Sequence, residues 1–201
     1  MFSERYDIKN RPKGEHHGKV LTAQIDWELK ELVRIYEELA PMHVLEIGSQ
    51  MGGTLWYWLD GAIDGAVVVN IDILQNMTDE DKARLPGMWA SWASPGVTQH
   101  TLIGRSDDPA IMNKALEYLD WDIDFLFVDA VHTYEGAKSD FELYGPYVYP
   151  GGIIALHDLM TPDFSPHIQV GKLWREIQEA GYQTKELRAG GIYGGIGVIY
   201  V

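Results

Sequence analysis

The sequence predicts an α/β protein with a doubly wound, seven-stranded sheet that is parallel except for one antiparallel strand in a C-terminal hairpin. Three observations lead to this fold class. Short runs of β-branched and apolar residues alternate with longer segments of helical periodicity, which is the pattern of βαβ units. A glycine-rich turn joins the first of these runs to a helix. The last two runs have only a glycine-rich segment between them, so they are predicted to form a hairpin.

Seven segments are predicted as strands, because each is short, largely apolar and bounded by turn residues. They are residues 44–47, 66–71, 97–103, 123–128, 153–156, 182–187 and 196–201. Six segments are predicted as helices from apolar residues at three- and four-residue spacing. They are residues 22–39, with Thr22 or Asp26 as the N-cap, 54–63, 78–92, 109–119, 134–143 and 172–180. Pro86-Gly87 predicts a break in the third helix. The alternation of the two kinds of segment gives a Rossmann-like sheet.

Composition limits the partners that this chain can have. The net charge is −14, although residues 1–20 hold five Lys and Arg against three Asp and Glu. So negative a protein repels a phosphate backbone, and nucleic acid is therefore not an expected partner. No apolar run reaches the roughly 18 residues of a membrane helix, and no signal-peptide core is present, so we expect a cytoplasmic protein without a membrane partner. The chain has no cysteine, which excludes a thiolate nucleophile.

The chain is predicted to form one domain, residues 22–201, preceded by an N-terminal arm, residues 1–21. The arm is basic and the remainder is acidic. It is interpreted either as a mobile tail or as a lid or a contact in a homo-oligomer.

The turn after the first strand contains Gly48, Gly52 and Gly53. Glycines let a backbone approach a ligand closely, and the following helix supplies free N–H groups. A dinucleotide fingerprint needs glycine where Gln50 stands. The pattern Glu-x-Gly-x-x-x-Gly-Gly from Glu46 instead resembles motif I of class I S-adenosylmethionine (SAM)-dependent methyltransferases. The resemblance implies that SAM is held by Glu46 and by the turn, with contacts from Gly48, Ser49, Gln50, Gly52 and Gly53.

Four carboxylates, those of Glu46, Asp72, Asp129 and Asp158, lie at the ends of predicted strands. The carboxyl ends of parallel strands form the ligand-binding edge of such a sheet. Asp72 is therefore predicted to accept both hydroxyls of a ribose, a role that an NAD site would also require. The alternative is a surface acid that ends a strand.

Ser106 follows the third strand in a Gly-x-Ser turn. Ser106 or Asp107 is expected to cap the helix that begins at Pro109. The methyltransferase resemblance implies in addition that Ser106 lies beside the adenine of SAM.

Two further motifs indicate which group of class I methyltransferases the chain resembles. They are Asp129-x-x-His132-x-Tyr134 after the fourth strand and Pro150-Gly151-Gly152 followed by His157-Asp158 around the fifth. Together they resemble the methyltransferase group that includes cephalosporin hydroxylase-like proteins and sugar O-methyltransferases (Methyltransferase 24-like), over roughly residues 40–200.

This resemblance implies that Asp129, also counted as a SAM contact, and Asp158 hold a divalent cation. His157 would stand beside them and is a better ligand for Mn²⁺ than for Mg²⁺. His132 is interpreted as the general base, with His157 as second choice; the structural alternative is that His132 caps the following helix.

The sequence thus predicts a SAM-dependent methyltransferase for an oxygen of a small hydroxylated acceptor, a sugar, glycoside or secondary metabolite, with a possible requirement for Mg²⁺ or Mn²⁺. A non-catalytic SAM-binding or scaffold protein is the alternative, and an NAD-dependent oxidoreductase is disfavoured by Gln50 and the terminal hairpin. The acceptor pocket is expected to be formed by the N-terminal arm together with residues 78–94 and 161–169.

Overall fold

The computed structural model describes residue 22 and residues 24–75, 77–160, 165–190 and 193–201. The strands are β1 (His43–Ile47), β2 (Val67–Asp72), β3 (Thr98–Ile103), β4 (Ile123–Val128), β5 (Val148–His157), β6 (Gln183–Leu187) and β7 (Ile196–Tyr200). The helices are α1 (Asp26–Leu39), α2 (Gly53–Gly61), α3 (Asp79–Ala90), α4 (Pro109–Tyr118), α5 (Tyr134–Tyr144) and α6 (Val170–Glu179). A short 3₁₀ helix, Gly145–Tyr147, joins α5 to β5.

The seven strands form one sheet in the order β3-β2-β1-β4-β5-β7-β6. β7 runs antiparallel to both of its neighbours, β5 and β6, whereas the other pairs are parallel. This confirms the predicted doubly wound sheet with one antiparallel strand. The strand order reverses between β1 and β4, and in open α/β sheets ligands bind in the crevice at such a reversal.

Each face of the sheet is covered by three helices. On one face Val44, Val68 and Phe127 pack with the apolar sides of α1, α2 and α3. On the other face the alternate strand residues, such as Leu45 and Val69, pack with α4, α5 and α6. Because the central strands are buried on both faces, they are apolar almost throughout, as the sequence pattern predicted.

The predicted break in the third helix is wrong, since α3 continues through Pro86. The proline removes the N–H that would bond to the carbonyl of Lys82. Lys82 is exposed, so water can satisfy that carbonyl. Leu85 and Trp89, on either side of the proline, are fully buried and hold both turns of the helix against the sheet.

α1 begins later than predicted, and neither expected residue caps it. Its N-cap is Ile25, which makes no side-chain capping bond, and Asp26 is its first helical residue. The residues before it approach the carboxyl edge of the sheet instead, because the Gln24 side chain bonds to Asp129 there. The fifth strand is also longer than predicted, since it includes Pro150-Gly151-Gly152 with an irregular register beside β4.

Candidate active site

A cavity of about 430 Å³ opens where the carboxyl ends of β1, β2, β3, β4 and β5 meet. Its walls come from the turns after these strands and from Thr22 and Gln24 before α1. Most of the residues predicted as functional lie in these walls. They are Gly48, Ser49, Gln50, Gly53, Asp72, Ser106, Asp129, His132, His157 and Asp158. Glu46 and Gly52 were also predicted as cofactor contacts, but they do not line the cavity.

The glycine turn needs two of its glycines for steric reasons. Gly48 has φ +93°, and a Cβ there would overlap the backbone oxygen of Asp129 on the neighbouring strand. Gly52 has φ +85°, and a Cβ there would overlap the indole of Trp89. Gly52 therefore serves packing against α3, and this packing is why it does not contact the cavity. Gly48 brings the turn against the end of β4.

Asp72 orients the glycine turn from the end of β2. One of its carboxylate oxygens accepts the backbone N–H groups of Ser49 (2.7 Å) and Gln50 (2.6 Å). The other oxygen accepts the N–H of Leu74 at 2.5 Å. Asp72 also lines the cavity, and its contact to ribose hydroxyls stays a prediction.

Glu46 lies beneath the turn, and this corrects its expected role as a cofactor contact. The side chain is fully buried on the α2 face of the sheet. Its oxygens accept hydrogen bonds from the Ser49 hydroxyl (2.5 Å) and the Trp58 indole N–H (2.8 Å). Strand alternation explains the position, because Glu46 points to the face opposite Leu45 and Ile47. It supports the turn from below.

A chain of side-chain hydrogen bonds continues from Glu46 across three strands. Asn70 on β2 donates to the Ser49 hydroxyl at 2.9 Å. The amide oxygen of Asn70 accepts from Gln99 and from Thr101 on β3, both at 2.8 Å. These buried polar groups thus have partners within the protein, which offsets the cost of burying them.

Burial raises the pKa of Glu46 to about 7, although its hydrogen bonds from Ser49, Thr54 and Trp58 act in the opposite direction. The folded protein therefore binds this proton more tightly than the unfolded chain does. The resulting stabilisation is complete below about pH 4.5, the ordinary pKa of a glutamate, and is lost as the pH rises through about 7.

Replacing Glu46 by Gln is expected to remove this pH dependence. Between pH 4.5 and pH 8, the unfolding free energy of the wild type should fall by about 3 kcal/mol more than that of Glu46→Gln. Urea unfolding of both proteins at the two pH values measures this, and other titrating groups cancel in the difference. A difference between the two proteins that stays constant with pH would contradict the assignment.

The turn after β3 is held by α5. The Ser106 hydroxyl donates to Asp140 at 2.6 Å, and the Tyr144 hydroxyl donates to the backbone oxygen of Ser106 at 2.7 Å. Burial raises the pKa of Asp140 to about 6.

The expected cap of α4 by Ser106 or Asp107 is wrong, because Asp108 provides it by accepting the N–H of Ala110. Ser106 lines the cavity, as its predicted place beside adenine requires.

The carboxylates and imidazoles after β4 and β5 form one cluster. Asp129 Oδ1 lies 3.0 Å from Nδ1 of His157 and 3.3 Å from Nε2 of His132. The other nitrogen of His132, Nδ1, lies 3.4 Å from Asp158 Oδ2. Asp158 has φ +62°, a left-handed conformation that Asp tolerates better than most residues. Thr133, and not His132, caps α5, so the imidazole of His132 lies between the two carboxylates.

The contacts within the cluster lower the pKa of Asp129 and raise the pKa values of both imidazoles, so that each of these groups favours its charged form. Burial alone would raise the pKa of Asp129, but the charge of His157 and the hydrogen bonds from both imidazoles outweigh burial and lower it. The hydrogen bond to Asp129 raises the pKa of His132. Burial would lower the pKa of His157, and the charge of Asp129 overcomes this and raises it. These pKa shifts favour a negative Asp129 beside a positive His157.

The group that could hold a cation differs from the predicted one. The structure places ligand atoms of Asp129, His132 and Asp158 within 4.8 Å of one another. His157 was expected in this set, but it is 4% exposed and its Nδ1 faces Asp129 from behind the cluster. Its Nε2 is buried without a hydrogen-bond partner among the described residues. His132 takes its place in the set.

Two residues of the site carry no signal that we recognised in the sequence. The side-chain amide of Gln24 donates to Asp129 Oδ2 at 2.5 Å. Asp140 occurs in α5 among polar residues that resemble a solvated helix face, yet it is 2% exposed. A search for polar residues on the inward side of the α5 period would have found Asp140.

Some predictions lie outside what the structure describes. They concern the arm of residues 1–21 and residues 161–164 of the predicted acceptor loop. The homo-oligomer and the cytoplasmic location stay predictions. In the described part of the chain, no helix is both long and apolar enough to span a bilayer.

Comparison with known proteins identifies the family. Residues 45–159 match a family model described as a methyltransferase domain. A 90-residue stretch is 36% identical to an uncharacterised protein of Acanthamoeba polyphaga mimivirus. That stretch is 44% of this chain, and it spans only 40% of the length of the viral protein.

Solved structures share the fold at low sequence identity. The O-methyltransferase TomG of Streptomyces achromogenes, in complex with SAM, is 19% identical with a TM-score of 0.62, over 89% of this chain and 81% of TomG. An O-methyltransferase of Bacillus cereus, in complex with S-adenosylhomocysteine (SAH), is 18% identical with a TM-score of 0.64, over 94% and 84% of the two chains. CalS11, a TDP-rhamnose 3'-O-methyltransferase of calicheamicin biosynthesis, is 15% identical with a TM-score of 0.64, over 84% and 77%. Because the family model covers more than half of the chain and includes the glycine turn and both acidic motifs, the chain belongs to the methyltransferase domain family and is a class I methyltransferase.

Proposed function

We propose that this protein transfers the methyl group of SAM to a hydroxyl oxygen of a small molecule. One observation carries the proposal, namely that a single cavity contains both the Gly48 turn with Asp72 and the cluster of Asp129, His132 and Asp158. The first group of residues is suited to a nucleoside, and the second is suited to removing a proton from a hydroxyl. SAM and SAH in the related structures of TomG and the Bacillus cereus enzyme support the choice of donor.

SAM, when bound, supplies a methyl group on a sulfonium. Asp72 would orient the ribose, and the turn at Ser49 and Gln50 would fix the direction of the methyl group. Holding two reactants at near-attack distance accounts for much of the rate in such a transfer. As the C–O bond forms and the C–S bond breaks, the electron pair leaves with sulfur to give SAH.

His132 would take the proton that the acceptor hydroxyl loses. Its Nε2 lies 3.3 Å from Asp129 and its Nδ1 lies 3.4 Å from Asp158. With the proton of the neutral ring on Nε2, toward Asp129, Nδ1 would be the nitrogen that accepts the proton. Asp129 holds the ring in this tautomer and stabilises the imidazolium that results. His157 supports Asp129 from the buried side.

The same cluster fits a divalent cation by the chemistry of its donors. Asp129, Asp158 and His132 offer two carboxylates and one imidazole, a set that suits Mn²⁺ better than Mg²⁺. The ion, when bound, would lower the pKa of an acceptor hydroxyl. Because His132 would then be a ligand, this role is an alternative to its role as the general base. A sugar or another polyhydroxylated secondary metabolite is the proposed acceptor class, since adjacent hydroxyls suit such a site and the relative CalS11 acts on a sugar.

SAH binding to the wild type and to Asp72→Asn tests the donor site. The variant should bind SAH at least 10-fold more weakly, because it loses the charge that holds both the ribose and the turn amides. Isothermal titration calorimetry measures the affinity. Asp122→Asn, an exposed aspartate before β4 at the opposite end of the sheet, is the matched control and should bind as the wild type does.

Turnover tests the acceptor. Incubation with SAM and a panel of glycosides and phenols should yield a product that is heavier by one methyl group, detected by mass spectrometry. SAH binding without turnover on any hydroxylated acceptor would favour a non-catalytic SAM-binding protein. No binding of SAM or SAH would refute the proposal.

A further inference from the structure

Gln24 reaches the acid cluster from outside the methyltransferase motifs. The residue precedes α1 and is 8% exposed. Its Nε2 donates to Asp129 Oδ2 at 2.5 Å, on the oxygen that neither imidazole uses. It lines the same cavity as Asp129 and Asp158. A buried amide against a functional carboxylate is thus part of the site.

The position of Gln24 is fixed by the helix that follows it. Leu29 and Leu32 of α1 are fully buried. The carboxylate of Glu28 accepts the backbone N–H groups of Ala189 and Gly195, both at 2.9 Å. Gly195 in turn accepts the N–H of Leu159, the residue after Asp158. The start of α1 is therefore tied to the segment after β5 that carries Asp158.

We infer that Gln24 is a further ligand of the cation site, offering its amide oxygen to the ion beside Asp129. This inference rests on the proposed function. A carboxamide carries a donor nitrogen and an acceptor oxygen at equivalent places. A half-turn about χ3 exchanges the two atoms, so the oxygen takes the place that the nitrogen occupies at Asp129. No backbone movement is required for this exchange.

The spacing of the side chains fits this role. Neighbouring ligand atoms in an octahedral shell of about 2.1 Å radius lie roughly 3 Å apart. The atoms of Gln24 and Asp129 are 2.5 Å apart, and those of Asp129 and His132 are 3.3 Å apart. His132 and Asp158 are separated by 3.4 Å. The last two distances involve different nitrogens of His132, and one ion can bind only one of them. One ligand atom each of Asp129, His132 and Asp158 nevertheless lies within 4.8 Å of the others, and Gln24 contacts Asp129 at the edge of this group.

Binding of Mn²⁺ alone to the full chain tests the inference. We expect Gln24→Glu to bind Mn²⁺ at least 10-fold more tightly than the wild type, because it adds a carboxylate oxygen to the shell. Gln24→Leu should bind at least 10-fold more weakly, because it offers no oxygen. Electron paramagnetic resonance measures free Mn²⁺ in each titration. Gln75→Leu is the matched control, since Gln75 lines the cavity beyond Asp72, and its Mn²⁺ affinity should stay within two-fold.

The outcomes separate this inference from the proposed function. Wild-type Mn²⁺ affinity in both Gln24 variants would overturn the role of Gln24 and leave the cation site intact. A wild type that binds no Mn²⁺ would overturn both the cation site and the inference, whereas SAH binding would still test the donor site. If Gln24→Leu does not fold, Gln24→Asn replaces it, because the shorter amide retreats from the ion and should also weaken binding.

Discussion

Replacing Asp129 by Asn should lower kcat by about 10³-fold while the protein stays folded, since general-base chemistry and its charged partner contribute on this scale. The Asp129 carboxylate accepts from both His132 and His157 on one oxygen and from Gln24 on the other. Asparagine has the same shape, but only one of its two positions can accept a hydrogen bond. His132 would then lose the charge that fixes its tautomer. Steady-state kinetics with an acceptor identified from the panel measures the loss.

Two further measurements interpret the Asp129 variant. SAH affinity should change little, because the donor is held by the Gly48 turn and Asp72, and a preserved affinity proves that the site is assembled. Excess EDTA should lower the activity of the wild type if the cation takes part. Activity of Asp129→Asn close to wild type would refute the catalytic role of the cluster. Undiminished activity of the wild type in EDTA would refute the cation alone.

The second large effect is expected at Gly48. Alanine there should lower the unfolding free energy by about 3 kcal/mol or more and weaken SAH binding by at least 100-fold. A Cβ would overlap the backbone of Asp129 and adopt a φ that L-residues avoid. The strand end or the turn must move, and both belong to the site. Urea unfolding and calorimetry with SAH measure the two effects.

Gly181→Ala separates the steric clash from the backbone strain. Gly181 has φ +88°, close to that of Gly48, but nothing lies within 4 Å of the place where its Cβ would be. The control should therefore lose only about 1 kcal/mol. Equal losses at the two glycines would contradict the close approach of the turn to β4.

The sheet could be predicted because its signal is local. Runs such as Val67–Asp72 and Ile123–Val128 are apolar enough to be buried on both faces, and turn residues bound each of them. The errors arise where a contact distant in sequence overrides the local rule. α3 continues through Pro86 because Leu85 and Trp89 hold it against the sheet. α1 begins only at Asp26 because residues before it, such as Gln24, line the cavity.

The candidate site could be predicted where function coincides with a strand end. Asp72, Asp129 and Asp158 each close an apolar run, and parallel strands bring such ends to one edge. Gln24 could not be predicted, because its role depends on where the chain enters α1 and no motif surrounds it. Glu46 was placed on the wrong side of the turn, although the alternation of β1 assigns its side chain to the helix-covered face.

The row of polar side chains beneath the glycine turn, Glu46, Asn70 and Thr101, affects the register in which β1, β2 and β3 pair. Glu46 is paired with Asn70, and Asn70 with Thr101, in the register of β1, β2 and β3. The three consecutive valines of β2 would bury similar area in several pairings. A slip by one residue would turn Asn70 to the opposite face without a partner, at a cost of about 1–3 kcal/mol. One row of polar groups therefore selects the native pairing, so aliphatic exchanges in these strands should be tolerated far better than any change at Asn70.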